Sequence, residues 1–471
     1  MIIITNMLLA EIILLYNKEK GIKMYKSSKY NFIWPIQGNN NLLVYNSFSN
    51  KFEEIIGDKR HLLESSSIDL AALDVEDHIT ALNFIKKGFL IQDSYDELKV
   101  LRYYSSYYKY DRDALSLTIA PTLACNFQCP YCYEKENTLK NMTDEIQQAI
   151  FKYIQESVQK TKKVLITWYG GEPLLMKDTV VNMSTGISNL AAENNCECSF
   201  YMITNGYLLD EDLILKLKQF NFKGIQTTLD GPPHIHDKRR IVKGKGKNEG
   251  SFYKILENIK HLIKHDMKVY IRINVDQTNI DSIDELLDIL ASEGVTSAIV
   301  YPGQILAYTE ACKSVEDSCV GTHEFANYFL EFNQKLMEKG FSTDLTNLWL
   351  RRKTNFCCAD QINSFLIDCE GFMYKCWSQI GDKRNSVGNI MNLKSNRDEK
   401  MRHIQWLMWN PFDHEECRTC NILPLCMGGC PYLGINCDEG KPQCINIKHN
   451  IEKIVKTHYS CSLYLNAATK L

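Results

Sequence analysis

The feature that most constrains the fold is a series of six apolar runs, separated by amphipathic helical stretches, that begins at Leu115. Each run is almost continuously apolar, as expected of strands buried on both faces of a sheet. The alternation of such strands with helices predicts an α/β fold with a parallel sheet. The predicted strands are Leu115–Ala120, Val164–Tyr169, Ser199–Thr204, Gly224–Leu229, Val269–Val275 and Ser297–Tyr301.

The number of repeats also limits the architecture. Six βα units are too few for a closed eight-stranded barrel, so we expect a partial, open (β/α)6 TIM-like barrel over residues 111–345. Ligands should bind at the carboxyl ends of its strands. We expect a small α+β module at 24–110 and a cysteine-rich domain at 346–471. Met1–Lys23 is expected to be an extension with little fold content, or a start assigned too early if Met24 is the genuine one.

Cysteine usage and charge restrict the function. The chain has 18 cysteines in 471 residues, and ten of them fall between Cys357 and Cys444. Because the apolar start, Met1–Tyr16, lacks a basic segment and is too short to span a bilayer, we predict a cytoplasmic protein whose cysteines bind metal. A net charge of −3 gives no general reason to bind nucleic acid or an anionic membrane.

Three cysteines directly after the first predicted strand form the most informative motif. Cys125, Cys129 and Cys132 have the spacing CxxxCxxC. A structural zinc site normally uses four ligands, whereas a 4Fe-4S cluster held by three cysteines leaves one iron open to a second molecule. The sequence therefore predicts an iron-sulfur cluster with an open iron at the mouth of the barrel.

This motif in this position resembles the signature of the radical S-adenosylmethionine (SAM) superfamily. The resemblance implies that SAM binds the open iron and that electron transfer releases a 5′-deoxyadenosyl radical, which abstracts hydrogen from a substrate. It also implies that several residues at the strand ends contact SAM, among them Glu172 as acceptor for the methionine ammonium. These candidate cofactor-binding residues are Tyr131, Gly170, Gly171, Glu172, Thr228, Arg240 and Arg272. No residue is assigned as catalytic.

The later cysteines resemble the SPASM extension of radical SAM enzymes, which holds up to two auxiliary 4Fe-4S clusters. The resemblance implies that Cys357, Cys376 and Cys430 hold the first auxiliary cluster. Its fourth ligand stays open: Cys358 or Cys369 supplies it, or the iron is left for a substrate thiolate. The implied ligands of the second cluster are Cys417, Cys420, Cys426 and Cys444.

Two branches of the family compete for the function. One comprises peptide maturases, which often form thioether or other crosslinks and carry a winged-helix-like module that binds a leader peptide by adding it to a sheet edge. The other comprises anaerobic sulfatase-maturing enzymes, which make formylglycine and place an aspartate directly after the GxxxxC cysteine. We favour the first, because about a hundred residues precede the radical motif and Trp377 occupies the aspartate position. The expected partners are a peptide or protein substrate and an external electron donor.

A third alternative belongs to another class of protein. In it, the chain is a non-enzymatic cluster or zinc protein that only binds a partner. The run Gly170-Gly171-Glu172-Pro173 argues against it, because the resembling enzymes have this run at the end of the second strand.

Overall fold

The computed structural model describes residues 23–134, 140–244, 250–342, 350–436 and 441–468, without the side chains of 461–468. The predicted extension Met1–Lys23 therefore lies outside the described residues except for Lys23. No helix within the described ranges has the length and apolar content needed to cross a bilayer.

The amino-terminal part contains two small antiparallel sheets. Strand β1 lies between β5 and β6 in one sheet, and β3 lies between β2 and β4 in the other. This part has the mixture of strands and helices expected of a small α+β module, and we refer to residues 24–110 as the amino-terminal module. Its elements are β1 (Met24–Ser27), β2 (Asn31–Pro35), β3 (Asn41–Asn46), β4 (Lys51–Ile56), α1 (His61–Glu64), β5 (Ile68–Asp69), α2 (Val75–Lys87), β6 (Leu90–Gln92) and α3 (Glu97–Lys109).

The central sheet confirms the predicted partial barrel. Six parallel strands follow one another in chain order from β7 to β12, and each starts within two residues of a predicted strand. Three further strands extend the sheet beyond β7. The first of them is parallel to β7, and each of the other two is antiparallel to the strand before it. The strands are β7 (Ala114–Ile119), β8 (Lys163–Trp168), β9 (Glu197–Ile203), β10 (Phe222–Thr228), β11 (Val269–Val275), β12 (Ile299–Gln304), β13 (Ser364–Ile367), β14 (Phe372–Tyr374) and β15 (Gly388–Asn389).

Helices cover the outer face of the barrel strands. Amphipathic helices such as α8 place one apolar side on the sheet and bury Ile255, Ile259 and Leu262 there. The barrel helices are α4 (Asp144–Val158), α5 (Lys177–Glu193), α6 (Glu211–Leu217), α7 (Pro233–Arg239), α8 (Phe252–Lys264), α9 (Ile283–Ser292) and α10 (Thr322–Glu338).

The carboxyl-terminal region has little regular structure apart from two longer helices. Most of its helices have four to six residues. They are α11 (Arg397–Met408), α12 (Glu415–Arg418), α13 (Leu423–Cys426), α14 (Pro431–Asn436) and α15 (Ile447–Ala468), the last kinked at Asn450. Short helices of this kind need packing or bound metal to persist.

Candidate active site

The loop that carries Cys125, Cys129 and Cys132 follows β7 directly, so all three cysteines lie at the carboxyl ends of the barrel strands. One side of the loop meets the loop after β8, because the N–H of Glu172 donates to the carbonyl of Ala124 at 2.9 Å. The other side pairs with residues 241–243, where the N–H of Gln128 donates to the carbonyl of Ile241 at 2.8 Å. The protein backbone therefore fixes this loop on both sides.

Glycine is required where the two loops touch. A Cβ at Gly171 would lie 2.3 Å from the carbonyl oxygen of Ala124, and one at Gly170 would lie 2.4 Å from that of Thr122. Gly170 also has φ +115°, which other residues rarely adopt. Both glycines thus allow close packing against the cysteine loop.

The three thiols lie in a shared, buried environment. The pKa of Cys125 is raised to about 12, mainly by burial. The neighbouring Cys129 contributes to the rise, whereas an N–H donated by Phe127 at 3.3 Å opposes it. The pKa of Cys132 is likewise raised by burial and by Cys125 and Cys129. Thiols of this kind are protonated when free, so binding a metal would displace their protons.

Glu172 is completely buried behind the cysteine loop. Its carboxylate accepts hydrogen bonds from the hydroxyl of Thr204 at 2.7 Å and from the backbone N–H groups of Asn205 and Leu174 at 2.7 and 3.0 Å. Burial raises the pKa of Glu172 despite these bonds. The carboxylate therefore ties the ends of β8 and β9 together, and this role was not predicted from the sequence.

Tyr131 and Arg240 belong to one hydrogen-bonded network beside Cys129. The Tyr131 hydroxyl donates to the carboxylate of Asp230 and accepts a bond from the Arg240 guanidinium at 3.0 Å. The same guanidinium lies over the ring of Phe127, 5.3 Å from its centroid. Its buried Nε has no hydrogen-bond partner in the described part of the chain, so one donor is left for a ligand.

Thr228 and Arg272 lie on the neighbouring strands β10 and β11. They pair in register across β10 and β11, and Thr228 is buried as the last residue of β10. The Arg272 Nε donates to the Asn274 side chain at 2.8 Å, and Asn274 in turn donates to the Tyr131 hydroxyl at 3.4 Å. Arg272 thus reaches the network through one intermediate residue.

Three further polar residues lie at this rim, and none of them was among the predicted cofactor-binding residues. Asp230 accepts from Tyr131 and from the N–H of Asn274, and Arg239 lies over the Tyr131 ring at 5.3 Å. The Asn205 amide donates to the side chain of Asn126, inside the cysteine motif, at 2.7 Å. Their position after β9 and β10 was the available signal, because polar residues that follow buried strands line the ligand-binding edge of such a sheet.

Four cysteines meet in the first auxiliary region. Cys376 follows β14, and its pKa is raised by burial to about 12, with Cys430 and Cys358 adding to the rise. Burial also raises the pKa of Cys357, and Cys358 and Cys376 raise it further. Cys376 therefore lies near Cys357, Cys358 and Cys430. Cys369 is influenced instead by Asp368, Glu370 and the backbone of Leu123.

Aromatic side chains connect this region to the first motif. Trp377 stacks on Tyr169 with 4.8 Å between ring centroids and an interplanar angle of 30°. The hydroxyl of Tyr169 is hydrogen-bonded to that of Tyr133, which follows Cys132 directly. Trp377 therefore occupies the space between the two cysteine groups with an apolar ring.

The four remaining predicted ligands, Cys417, Cys420, Cys426 and Cys444, line one cavity of about 40 Å³. The pKa of Cys417 is raised to about 12 and that of Cys426 to about 11. Burial is the main cause, and the other cysteines of the group contribute to both shifts. The ammonium of Lys448 donates to the Cys444 sulfur at 3.2 Å.

The approach of Cys444 depends on a glycine. Gly429 has φ +76°, and a Cβ there would lie 1.8 Å from the carbonyl oxygen of Gln443. The segment that precedes Cys444 therefore crosses directly over Gly429. This contact between Gly429 and Gln443 was not predicted from the sequence.

Comparison with known proteins decides the assignment of the barrel. Residues 119–290, which contain the cysteine loop, Glu172, Asp230 and Arg240, match the model of the radical SAM superfamily. The chain carries a radical SAM domain. The radical SAM family uses a 4Fe-4S cluster and SAM, in agreement with the prediction from the three cysteines.

Individual proteins are similar to a larger part of the chain than the family model covers. A cysteine-type anaerobic sulfatase-maturating enzyme of Clostridium novyi is 23% identical over 335 residues, which are 67% of this chain and 88% of the relative. The solved structure of native anSMEcpe with bound AdoMet and Cp18Cys peptide has a TM-score of 0.57 at 18% identity, over 74% of this chain and 99% of that one. The structure of Streptococcus suis SuiB bound to precursor peptide SuiA has a TM-score of 0.52 at 14% identity. The match covers 90% of this chain and 98% of that one.

The residues of the radical SAM domain fit the cofactors of the family. The three partly buried thiols of one loop offer soft sulfur ligands, three for the four irons of a cubane, and Arg240 has an unpaired buried donor beside them. Within the described ranges, no three His, Cys, Asp or Glu side chains are grouped closely enough to hold a single metal ion. A cubane cluster is larger than one ion and binds ligands that are farther apart.

Proposed function

We propose that this radical SAM enzyme is a peptide maturase of the reducing cytoplasm. The observation that carries the proposal is the loop Cys125–Cys132 at the barrel mouth, held on both sides by backbone contacts and flanked by Arg240. When bound there, the cluster and SAM supply a 5′-deoxyadenosyl radical, which abstracts hydrogen from the substrate. Sulfatase-maturating relatives and the SuiB–SuiA complex support a peptide as that substrate.

Each residue of the mouth has a role in this proposal. Cys125, Cys129 and Cys132 hold the cluster, and the backbone at Gly170–Gly171 keeps their loop in place. Arg240 offers its free Nε–H to the carboxylate of SAM, because a buried guanidinium donor forms a strong bond with a carboxylate. Glu172, whose Oε2 accepts a hydrogen bond from the N–H of Asn205, offers a further lone pair of this oxygen to the ammonium of SAM.

Tyr131, Thr228 and Arg272 are proposed to shape the wall of the SAM pocket. Tyr131 is held by Asp230 and Arg240, so its ring has one fixed orientation beside Cys129. Thr228 ends β10 at the same rim, and Arg272 fixes Asn274, which contacts the Tyr131 hydroxyl. These three residues orient the cofactor through shape and hydrogen bonds.

Two auxiliary 4Fe-4S clusters complete the proposed enzyme. For the first we propose Cys358 as the fourth ligand, with Cys357, Cys376 and Cys430, because Cys358 lies near both Cys357 and Cys376, whereas Cys369 lies beside Asp368, Glu370 and Leu123. The second cluster uses the four cysteines that line one cavity. A cluster close to the substrate would accept the electron released when a substrate radical becomes a stable product.

We further propose that the amino-terminal module binds a leader peptide. Its sheet β2-β3-β4 leaves β2 and β4 as edge strands in the described part of the chain, and an extended peptide can add to such an edge. The alignment with SuiB spans 90% of this chain, whereas that with the sulfatase-maturating structure spans 74%. The larger span favours peptide maturation over formylglycine formation.

Formylglycine formation is the second candidate, favoured by the names of the curated relatives. It requires a base beside the substrate, and the ring of Trp377 fills the position after Cys376 and stacks on Tyr169. Replacing Trp377 by Asp would place a base at this position. The replacement should change the products only if peptide maturation and formylglycine formation use the same substrate chamber.

The test compares two probes with the cluster-loaded enzyme, dithionite and SAM. One probe is a peptide encoded by a short reading frame next to this gene, and the other is a sulfatase-derived peptide containing a cysteine. We expect mass spectrometry to show loss of two hydrogens from the first and no formylglycine in the second. Cys129→Ala is the inactive control and Cys319→Ala, outside the three sites, is the matched active one. Formylglycine in the second probe, with an unmodified first, would reverse the assignment.

A further inference from the structure

The segment 415–427, which we call the second-site loop, carries Cys417, Cys420 and Cys426 and has an apolar side of its own. Ile422, Leu423, Leu425 and Met427 are at most 4% exposed. These side chains do not belong to the core of the barrel. The loop is therefore anchored to another part of the molecule.

That part is the amino-terminal module. Ile422 and Leu425 pack in one cluster with Leu43 and Tyr45 of β3. In a second cluster, the module contributes Tyr30 and Leu101, which pack with Leu423, Met427 and Cys417. Leu43 and Tyr45 of β3 thus have core partners in the second-site loop, in the same cluster as Ile451, Ile454 and Val455 of α15.

Polar contacts join the same two parts. The hydroxyl of Ser47 donates to the carbonyl of Asn421, and the ammonium of Lys29 donates to the carbonyl of Arg418 at 3.1 Å. The guanidinium of Arg352, which precedes the first auxiliary cysteines, lies over the ring of Phe48 at 4.6 Å. These contacts add polar links between the module and the loop to the apolar packing.

The other side of the loop faces the cavity lined by Cys417, Cys420, Cys426 and Cys444. The regular structure of the loop consists of α12 and α13, each four residues long. Helices this short are not stable by themselves, so the path of the loop depends on the module on one side and on whatever the four thiols bind on the other.

We propose that the second auxiliary cluster is a structural joint that fixes the amino-terminal module to the rest of the enzyme. This inference depends on the proposed function in one respect, which is the presence of the second auxiliary cluster. Because the loop is shared, the cluster stabilises the docked module and the docked module stabilises the cluster by the same free energy. The cluster needs no part in electron transfer to fulfil this role.

Cys444→Ala tests the joint without disturbing the packing. Cys444 is exposed and lies outside the second-site loop, so its loss removes a ligand and leaves every side chain between loop and module in place. Cys376→Ala, which removes a ligand of the first auxiliary cluster, is the matched control. Iron analysis and EPR verify in each variant which cluster is missing, about four irons per cluster.

Hydrogen exchange of residues 41–56 is the readout. We expect exchange in Cys444→Ala to be faster by about tenfold or more than in the intact holoenzyme, and exchange in Cys376→Ala to be unchanged. Unchanged exchange in Cys444→Ala, with the second cluster shown to be lost, would overturn the joint. A holoenzyme that holds no second cluster would instead contradict the proposed cofactor content.

The reverse experiment avoids a ligand change altogether. Leu43 and Leu62 are both buried leucines of the module, but Leu43 faces the second-site loop and Leu62 lies in the other core of the module. We expect an iron chelator to remove the second cluster faster from Leu43→Ala than from Leu62→Ala. Equal rates in the two variants would contradict the joint.

Discussion

The barrel mouth and the carboxyl-terminal region both gather cysteines, but different forces hold them. At the mouth, the loop of Cys125, Cys129 and Cys132 lies between two neighbouring loops and beside the network of Tyr131 and Asp230. In the carboxyl-terminal region, the cysteines lie on helices of four to six residues and on irregular chain. The first site is therefore prepared by the barrel, whereas the auxiliary sites depend on their clusters for their shape.

The largest expected effect distinguishes the barrel mouth from the carboxyl-terminal region when one cysteine is replaced in each. Cys129→Ala should reduce 5′-deoxyadenosine formation to the reagent background and leave the thermal unfolding midpoint within about 2 °C, because the loop is held by backbone contacts. Cys420→Ala should lower the midpoint clearly, because the second-site loop has little structure of its own. Product assays and calorimetry measure the two effects. An equal fall of the thermal unfolding midpoint in the two variants would contradict the proposed difference between the two regions.

The next effect concerns the glycines that bring segments together. Gly171→Ala places a methyl group 2.3 Å from the Ala124 carbonyl, and Gly429→Ala places one 1.8 Å from the Gln443 carbonyl. Each should cost about 3 kcal/mol or more in the free energy of unfolding. Gly171→Ala should also impair the radical cluster and Gly429→Ala the second auxiliary cluster, as measured by EPR. Ala at Gly294, where nothing lies within 4 Å of a Cβ, controls for the positive φ of Gly429.

A smaller effect is expected in the polar network of the mouth. Tyr131→Phe removes the hydroxyl shared by Asp230 and Arg240, which leaves two buried charged groups without one partner each. We expect a loss of about 1–3 kcal/mol in the free energy of unfolding and weaker SAM binding, measured by denaturation and calorimetric titration. Tyr253→Phe, on an exposed side chain, should be neutral. Unchanged SAM affinity in Tyr131→Phe would exclude the network from cofactor binding.

The smallest effect is a pH dependence of the mouth. His236 is buried, and burial lowers its pKa well below the ordinary value of about 6.5. Since the unfolded chain binds a proton that the folded chain does not, stability should fall as the pH drops below about 6.5. Denaturation at pH 7.5 and 5.5 measures the slope, and His236→Gln should reduce it. An equal slope in the variant would assign the effect to other groups.

The sequence predicted the barrel and its first site because both are encoded locally. Apolar runs determine the six strands, and the motif Cys125–Cys132 follows the first of them, so the strand order alone brings it to the rim. The fourth ligand beside Cys357, Cys376 and Cys430 was left open, because the choice between Cys358 and Cys369 depends on how the turn of β13 and β14 lies against Leu123.

Contacts between distant segments could not be predicted. The docking of β3 on residues 415–427 joins parts of the chain that are far apart in sequence, and no periodicity encodes it. The protein contacts of Glu172 and Gly171 were not predicted either, namely the hydrogen bond from Thr204 to Glu172 and the close approach of Gly171 to Ala124. Winged-helix likeness of the module and the domain boundaries stay predictions.

The central claim is that three thiols hold a cluster with one open iron for SAM. The most direct measurement is EPR of the anaerobically reconstituted, dithionite-reduced Cys376→Ala, Cys420→Ala double variant, which leaves the first site, before and after addition of SAM. The account predicts a 4Fe-4S signal from about four irons that changes on SAM addition and disappears when Cys129→Ala is added. A signal that does not respond to SAM, or a site filled by zinc, would contradict it.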